Sequence, residues 1–518
     1  MTNRFYTALF SCVFLLTFFF SSYSYSNLNN NQSIDDEVQA GLTDIYNLRF
    51  DEAENKFREI QRKYPDDAKG YFYEAEIYYY RTLPARNEAM YEKFIELTDK
   101  LLDFCDKKLD KNENDIETLY YKGQTHSYRS LLMLNLNKSL IRAASNGNDG
   151  YRILSDVIRK KPDYYDAYMG LGLYKIAIGF VPEKFQWLLN IIGFDGNIKN
   201  GLEMLKTSMD KGKFTKVESK IYYAISSITE KEDDNQLSIE YAKQISDAYP
   251  ESPLFKLIYA ALMQERGKME QSLPIVKEAL ELNNRSLQNE MKKGGYALLG
   301  NAYFKLNDFP RAISTTEEFF KYVNFSEDRY NIARYSLGLA YEMIGQRGKA
   351  IENYTSVRDK FIEERDGEGE KLFYRLSRER MQKPFRDIDS LMLIANNNRE
   401  SGKFDEALEI YSKLLAAPYI GKFTNDDDKA QLYSQIGHAY LMKRNTDKAM
   451  EYFNKVITLK PEKEVWHVPH SYFELGKIYY KRGDKNKADE YFEKIYDFSD
   501  YDFKNFLEMR LANFKAKN

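Results

Sequence analysis

The chain reads as all-α, an α-solenoid (superhelix) of stacked antiparallel helix hairpins, on three observations. A small residue and an alanine recur twelve positions apart, aromatic and aliphatic residues flank them at spacings of three and four, and only 26 Gly and 12 Pro interrupt 518 residues. Recurrence at a fixed separation marks a stacked repeat. Spacing of three and four marks one face of a helix, and scarce turn formers argue against an all-β chain.

The clearest copies lie in the C-terminal half. Tyr296, Leu299, Gly300 and Tyr303 precede Ala312 and Phe319; Leu337, Gly338 and Tyr341 precede Ala350, Tyr354 and Val357. Tyr433, Ile436, Gly437 and Tyr440 precede Ala449, Phe453 and Val456, and Tyr472, Leu475, Gly476 and Tyr479 precede Ala488, Phe492 and Ile495. Leu391, Ile394 and Ala395 with Ala407, Tyr411 and Leu414 form a weaker copy, and Gly41 with Ala53, Phe57 and Ile60 a sixth. The interval between small residue and alanine is 12 in all six, whereas the steps between successive C-terminal copies are 38, 57, 42 and 39. A hairpin of fixed internal register joined by variable connections accounts for both. Paired helices approach closely only where side chains are small, so the Gly and the Ala are expected to supply the contact.

This pattern resembles the tetratricopeptide repeat. The resemblance implies right-handed stacking, with a concave groove lined by the first helix of each pair. Residues 150–174 fit it as well, and degenerate hairpins are expected at 68–80, 90–109, 116–136 and 222–249, with a better copy at 255–282, where Ala260 and Ser272 are again 12 apart. The stretch 181–197, VPEKFQWLLNIIGFDGN, together with 41–80, resembles bacterial relatives of the inclusion-body-clearance and tetratricopeptide-39 type proteins. That likeness implies interaction proteins without assigned catalysis.

The expected organisation is a signal peptide at 1–26, a flexible leader at 27–36, a degenerate helical block at 37–290 and a C-terminal solenoid at 291–518 carrying a charged insertion at 358–387. The insertion reads as a solvated helix or a hinge between two solenoid blocks, with a regulatory arm as the lesser alternative, and as partly helical through Leu372, Phe373, Leu376 and Met381. Arg4, an apolar run over 5–20 and small serines at Ser24 and Ser26 fit an export signal. Export to the periplasm or envelope of a bacterium follows. The competing reading retains the run as a membrane anchor for a structural component of the envelope. Leu9-Phe10-Ser11-Cys12 looks like a lipoprotein box, but most of the apolar run follows Cys12 where it should precede it. Cleavage would leave Cys105 alone, a buried packing residue by expectation, so no disulfide would hold the fold.

Seventy-six basic against 79 acidic residues give a formal charge of -3, which disfavours nucleic acid as a partner. No phosphate loop, nucleophile elbow or zinc-protease motif occurs. His467 and His470 flank Val468-Pro469 in an expected loop without further local ligands, and His126 and His438 fall on helices as groove or packing residues. Glu232-Asp233-Asp234 and Asp426-Asp427-Asp428 lack the order of a calcium loop and read as solvated turns or helix N-terminal charges. Neither cofactor nor metal is expected, and no catalytic residue; the chain reads as a non-enzyme.

Groove positions displaced by -3, +1 and +4 from the small residue give Asn301, Phe304, Tyr335, Glu342, Asn396, Arg399, His438, Phe473, Lys477 and Tyr480 as the partner-binding set. Lys and Asn do not recur there as a carboxylate clamp would need. The expected function is an exported scaffold or adaptor that holds a protein or peptide partner on aromatic anchors such as Tyr335, Phe473 and Tyr480.

Overall fold

A computed structural model describes residues 33–179, 196–227, 236–282, 286–323, 330–362 and 368–517. The expectations for the apolar N-terminal run, Cys12, the leader up to residue 32, most of the 181–197 stretch and Glu232-Asp233-Asp234 fall outside these residues. Twenty-four α-helices make up the regular structure of the described residues, apart from short 3-10 segments. None of these helices is long and apolar enough to cross a membrane. The chain is an α-solenoid of paired helices, divided into two compact units. One holds residues 33–262 and 274–295, the other 263–273 and 296–517, so the two interleave between residues 262 and 296.

The N-terminal unit begins with α1 (Ile34–Tyr46), α2 (Phe50–Lys63), α3 (Ala68–Ala85), α4 (Glu88–Leu109), α5 (Ile116–Asn135), α6 (Leu140–Lys160) and α7 (Ala167–Gly179). It continues with α8 (Ile198–Lys211), α9 (Lys216–Ser226) and α10 (Gln236–Ala248). Neighbours in sequence are neighbours in space throughout. Ser33 starts α1 with a reciprocal capping box to Asp36, so 34–36 are helical and not leader: the cap satisfies amides that would otherwise fray. Asp67, Asn87, Asp115, Ser139 and Asn197 cap later helices with a single side-chain oxygen that accepts a first-turn amide. Buried Asp166 accepts hydrogen bonds from the amides of Lys213, Phe214 and Thr215 at 2.8–3.0 Å and thereby fixes the turn between α8 and α9. Between α7 and α8 the backbones meet directly: a Cβ on Gly172 would lie 2.7 Å from the Gly201 carbonyl oxygen. Cys105 on α4 is fully buried, and burial pushes its thiol up to about 12, out of reach of ordinary thiolate chemistry.

Helices α11 (Pro253–Glu265), α12 (Met269–Glu281) and α13 (Gln288–Lys305) follow. The C-terminal unit continues with α14 (Phe309–Phe320), α15 (Asn331–Met343), α16 (Arg347–Lys360), α17 (Glu368–Gln382), α18 (Asp387–Glu400) and α19 (Phe404–Leu415). It ends with α20 (Asp426–Met442), α21 (Thr446–Ile457), α22 (His467–Lys481), α23 (Lys485–Glu493) and α24 (Lys504–Lys517).

One rule governs the hairpins. Seven residues after each small residue the backbone turns left-handed, at Leu48, Gly267, Asn307, Gly345, Gly402, Arg444 and Gly483. Each ends its helix with the same two amides: Arg444 N donates to Leu441 O and Asn445 N to Tyr440 O, both at 2.9 Å. Those bonds satisfy carbonyls the helix leaves over. Twelve residues after the small residue sits a buried alanine in six of these hairpins and the buried Ser272 in the one that turns at Gly267.

At sixteen, four residues beyond the alanine, comes the side chain that covers the glycine. A Cβ on Gly41, Gly338, Gly437 or Gly476 would meet the ring of Phe57, Tyr354, Phe453 or Phe492 at 2.7 Å or closer, and one on Gly300 would meet Thr316 Oγ1 at 2.7 Å. The glycine therefore makes room for a ring and not for the alanine. The cause is directional: helical side chains lean toward the N-terminus, so the residue four beyond the alanine covers the glycine.

The charged insertion is neither a hinge nor a solvated helix. Its helix α17 packs on α16 and α15, and Leu372 shares a core with Trp466 and Phe503. Arg375 pairs with Glu464 at 2.8 Å and with Asp502 at 2.7 Å, residues 89 and 127 positions away. Charge marks this segment because its ion pairs reach distant loops. Asp426-Asp427-Asp428 opens α20, and Asp427 Oδ1 accepts the amides of Lys463 and Glu464 at 2.8 Å, so the triad holds a loop as well as charging a helix start.

Candidate functional site

The first helices of consecutive hairpins, α18, α20 and α22, carry a run of buried polar side chains that the half-buried Arg510 of α24 extends. His467 and His470 lie in the first turn of α22 and not in a loop; Pro469 is tolerated there because first-turn amides have no intrahelical acceptor. Both rings are buried, and none of their four nitrogens has a hydrogen-bond partner. His467 stacks on Trp466 with centroids 3.8 Å apart, and His470 meets the same indole edge-on at 5.4 Å. Burial lowers His467 to about 3 and His470 well below its usual range, so both are neutral.

Glu474 and Lys477 continue that face of α22, at spacings that bring side chains together on a helix. Lys477 Nζ lies 2.7 Å from Glu474 Oε2, and Arg510 of α24 lies 3.4 Å from Glu474 Oε1. Burial pushes the lysine well down and the glutamate up, so the pair is without net charge whichever partner holds the proton. Arg510 sits 4.7 Å above the Phe473 ring. On α20, Gln435 leaves Oε1 without a partner, and on α18 Arg399 leaves Nε so. Arg399 Nη2 reaches Glu400 Oε1 at 3.0 Å.

The ten expected groove residues divide between this row and other work. Arg399, His438, Phe473 and Lys477 belong to it. His438 is buried edge-on to Phe453 at 5.0 Å, and its imidazole is held well down by burial and then by the charge of Arg399. Phe473 is buried between Phe492 and Phe514, and Tyr480 lies edge-on to Phe514 at 5.3 Å. Asn396 accepts the Tyr411 hydroxyl at 2.7 Å. Asn301 donates to Gln264 at 2.8 Å, Phe304 is buried against Phe309, and Glu342 is paired with Arg347. Tyr335 packs between Tyr354 and Phe373, its hydroxyl pushed up to about 12 by burial.

Gln435, His467, His470, Glu474 and Arg510 were not in the expected set. Gln435 and Glu474 both stand two residues before the glycine, and His470 stands six before it. The repeated -2 position is a signal present in the sequence. Among the described residues no three His, Cys, Asp or Glu side chains converge as a metal site would require.

Residues 166–386 match the family Iml2/Tetratricopeptide repeat protein 39, and residues 430–463 and 469–499 each match the tetratricopeptide repeat. No curated protein sequence matches the chain. Solved structures similar to it include the human IFIT1 dimer with m7Gppp-AAAA, 13% identical, covering 96% of this chain and 94% of that one with a TM-score of 0.28. Yeast Tom70 is 11% identical over 89% of this chain and 95% of that one, with a TM-score of 0.30. A tetratricopeptide repeat protein from Parabacteroides merdae is 17% identical, covers 57% of this chain and 99% of that one, and has a TM-score of 0.22.

Proposed function

We propose, from the premise that this chain carries an Iml2/Tetratricopeptide repeat protein 39 domain and tetratricopeptide repeats, that it is a non-catalytic interaction scaffold of the bacterial envelope whose C-terminal unit holds a protein segment along α18, α20 and α22. One observation carries the reading: buried polar atoms of Arg399, Gln435, His467 and His470 stand without partners on successive first helices. Such atoms cost roughly 1–3 kcal/mol each when left dry. These atoms are sealed from solvent, so a bound segment recovers that cost where the side chains turn outward to meet its amides and carbonyls, while Asn396 and Tyr480 would flank it. The N-terminal apolar run and the serines that follow it support the envelope setting.

The test is site-specific photo-crosslinking in the native cell. A photoreactive residue at Asn396 or Tyr480 should trap one partner, and the same residue at Lys448, exposed on the second helix α21, should not. Equal trapping at all three sites, or none, would reject the assignment. Mass analysis of the mature N-terminus decides between export with cleavage and a retained anchor.

A further inference from the structure

The core of the N-terminal unit contains two carboxyls with no cation to meet them. Glu76 on α3 and Glu218 on α9 are buried to 2% and 3% exposure. Among the described residues no Lys, Arg or His forms a hydrogen bond or ion pair with either. What faces them is phenolic. Tyr128 on α5 places its hydroxyl 2.7 Å from Glu76 Oε1 and 3.0 and 3.1 Å from the two oxygens of Glu218. Tyr80 lies 3.4 Å from Glu76 Oε1. Tyr46 of α1, Tyr73 and Tyr79 of α3, Tyr120 of α5, Tyr222 of α9, Tyr249 after α10 and Asp166 before α7 complete the titratable groups around the pair. Burial pushes the phenols of Tyr46, Tyr73, Tyr79, Tyr120, Tyr128, Tyr222 and Tyr249 up, so they stay neutral at physiological pH, and Asp166 is committed to the 213–215 amides.

Proton counting then constrains the site. The Tyr128 hydroxyl has one hydrogen and can donate it to one carboxyl only. Two dry carboxylates this near one hydroxyl would repel strongly, and Glu76 Oε2 has no hydrogen-bond donor beside it to steady a full negative charge. We propose that Glu76 and Glu218 share a proton, and that this proton is a pH-sensitive latch seating α9 against α3 and α5. Burial raises Glu76 to about 8 and Glu218 well above its ordinary value, which agrees with the geometry. The folded unit then holds a proton that the opened one releases. Opening is favoured as pH rises from the ordinary glutamate value of 4.5 to about 8, and levels off once the folded pair itself ionises.

Two measurements on the full chain test this. Infrared difference spectroscopy should show a buried protonated-carboxyl band at pH 7 that disappears in Glu218→Gln. Hydrogen exchange of the α9 peptide, corrected for intrinsic rate, should show an opening constant that rises roughly tenfold per pH unit between pH 5.5 and 7.5, the dependence expected of one released proton. Glu218→Gln should flatten that rise, and Tyr128→Phe, which keeps both carboxyls, should retain it. Absence of the band in the wild-type protein, or an α9 opening constant indifferent to pH, would overturn the proposal, and the wild-type readings suffice if a variant does not fold.

Discussion

Asn397 donates its side-chain amide to Asn307 Oδ1 at 2.9 Å, tying the end of α18 to the turn after α13, 90 residues away. The same amide reaches the Phe304 carbonyl at 2.8 Å, while Ser401 Oγ donates to Lys305 O at 2.6 Å and Lys305 pairs with Glu400 at 2.7 Å. The ends of α13 and α18 are therefore fastened to each other, although several helices and the insertion separate them in sequence. Adjacent hairpins in a simple stack would meet only their neighbours; here a second set of contacts closes between non-neighbours.

Asn397→Ala removes both amide bonds from a buried position. It should lower stability by about 1–2 kcal/mol, read by denaturant titration of the full chain. Hydrogen exchange should rise at the ends of both α13 and α18. Loosening confined to α18 would show that the tie has no mechanical weight.

The ring over Gly41, Gly338, Gly437 and Gly476 gives a sharper test of register. Gly437→Ala puts a Cβ 2.7 Å from the Phe453 ring and should cost about 1–3 kcal/mol through overpacking. Adding Phe453→Leu should return part of that loss. At Gly348, in the first turn of α16, an added Cβ would have nothing within 4 Å, and Gly348→Ala should stabilise by about 0.5–1 kcal/mol through helix propensity. Opposite signs for the two Gly→Ala changes, measured by thermal unfolding, are the expected result.

The left-handed turn residue is glycine in some hairpins and not in others. Arg444 holds φ at 59° in the position where Gly483 holds 86° one hairpin later. That conformation costs an L side chain roughly 1 kcal/mol, so Arg444→Gly should raise stability by up to about 1 kcal/mol. A fall would mean that the arginine's contacts outweigh the backbone strain.

The hairpins were legible because their requirements are local. Gly437 and Ala449 stand at fixed separation because both answer to contacts within one hairpin, where α20 packs on α21. The ring at sixteen was visible as an aromatic but not as the glycine's partner, because the lean of a helical side chain is not a property of spacing. The role of α17 was not legible. Arg375 looks like any surface arginine until Glu464 and Asp502 are placed beside it. Among the site residues, Lys477 and His438 could be found from the glycine, whereas His470 and Glu474 are defined by their surroundings in the assembled helices, by burial and by the hydrogen bonds the histidine lacks.

His467 and His470 make the C-terminal unit acid-sensitive. Both are buried and neutral when folded, His467 at about 3 and His470 well below the ordinary 6.5. Once unfolded they bind protons at the ordinary value. The unfolded state therefore takes up more protons below pH 6.5, and the stability present above that value is lost as pH falls toward 3, by roughly 1.4 kcal/mol per pH unit for each histidine. His467→Phe keeps a ring on Trp466 and removes one titrating site, so its thermal midpoint should fall less steeply between pH 6.5 and 4.5 than the wild-type one. The direction is opposite to that of the Glu76–Glu218 pair, which favours opening as pH rises. Hydrogen exchange resolved by peptide should thus show α22 loosening on acidification and α9 on alkalinisation. A common direction in both helices would mean that net charge, and not these buried groups, sets the response.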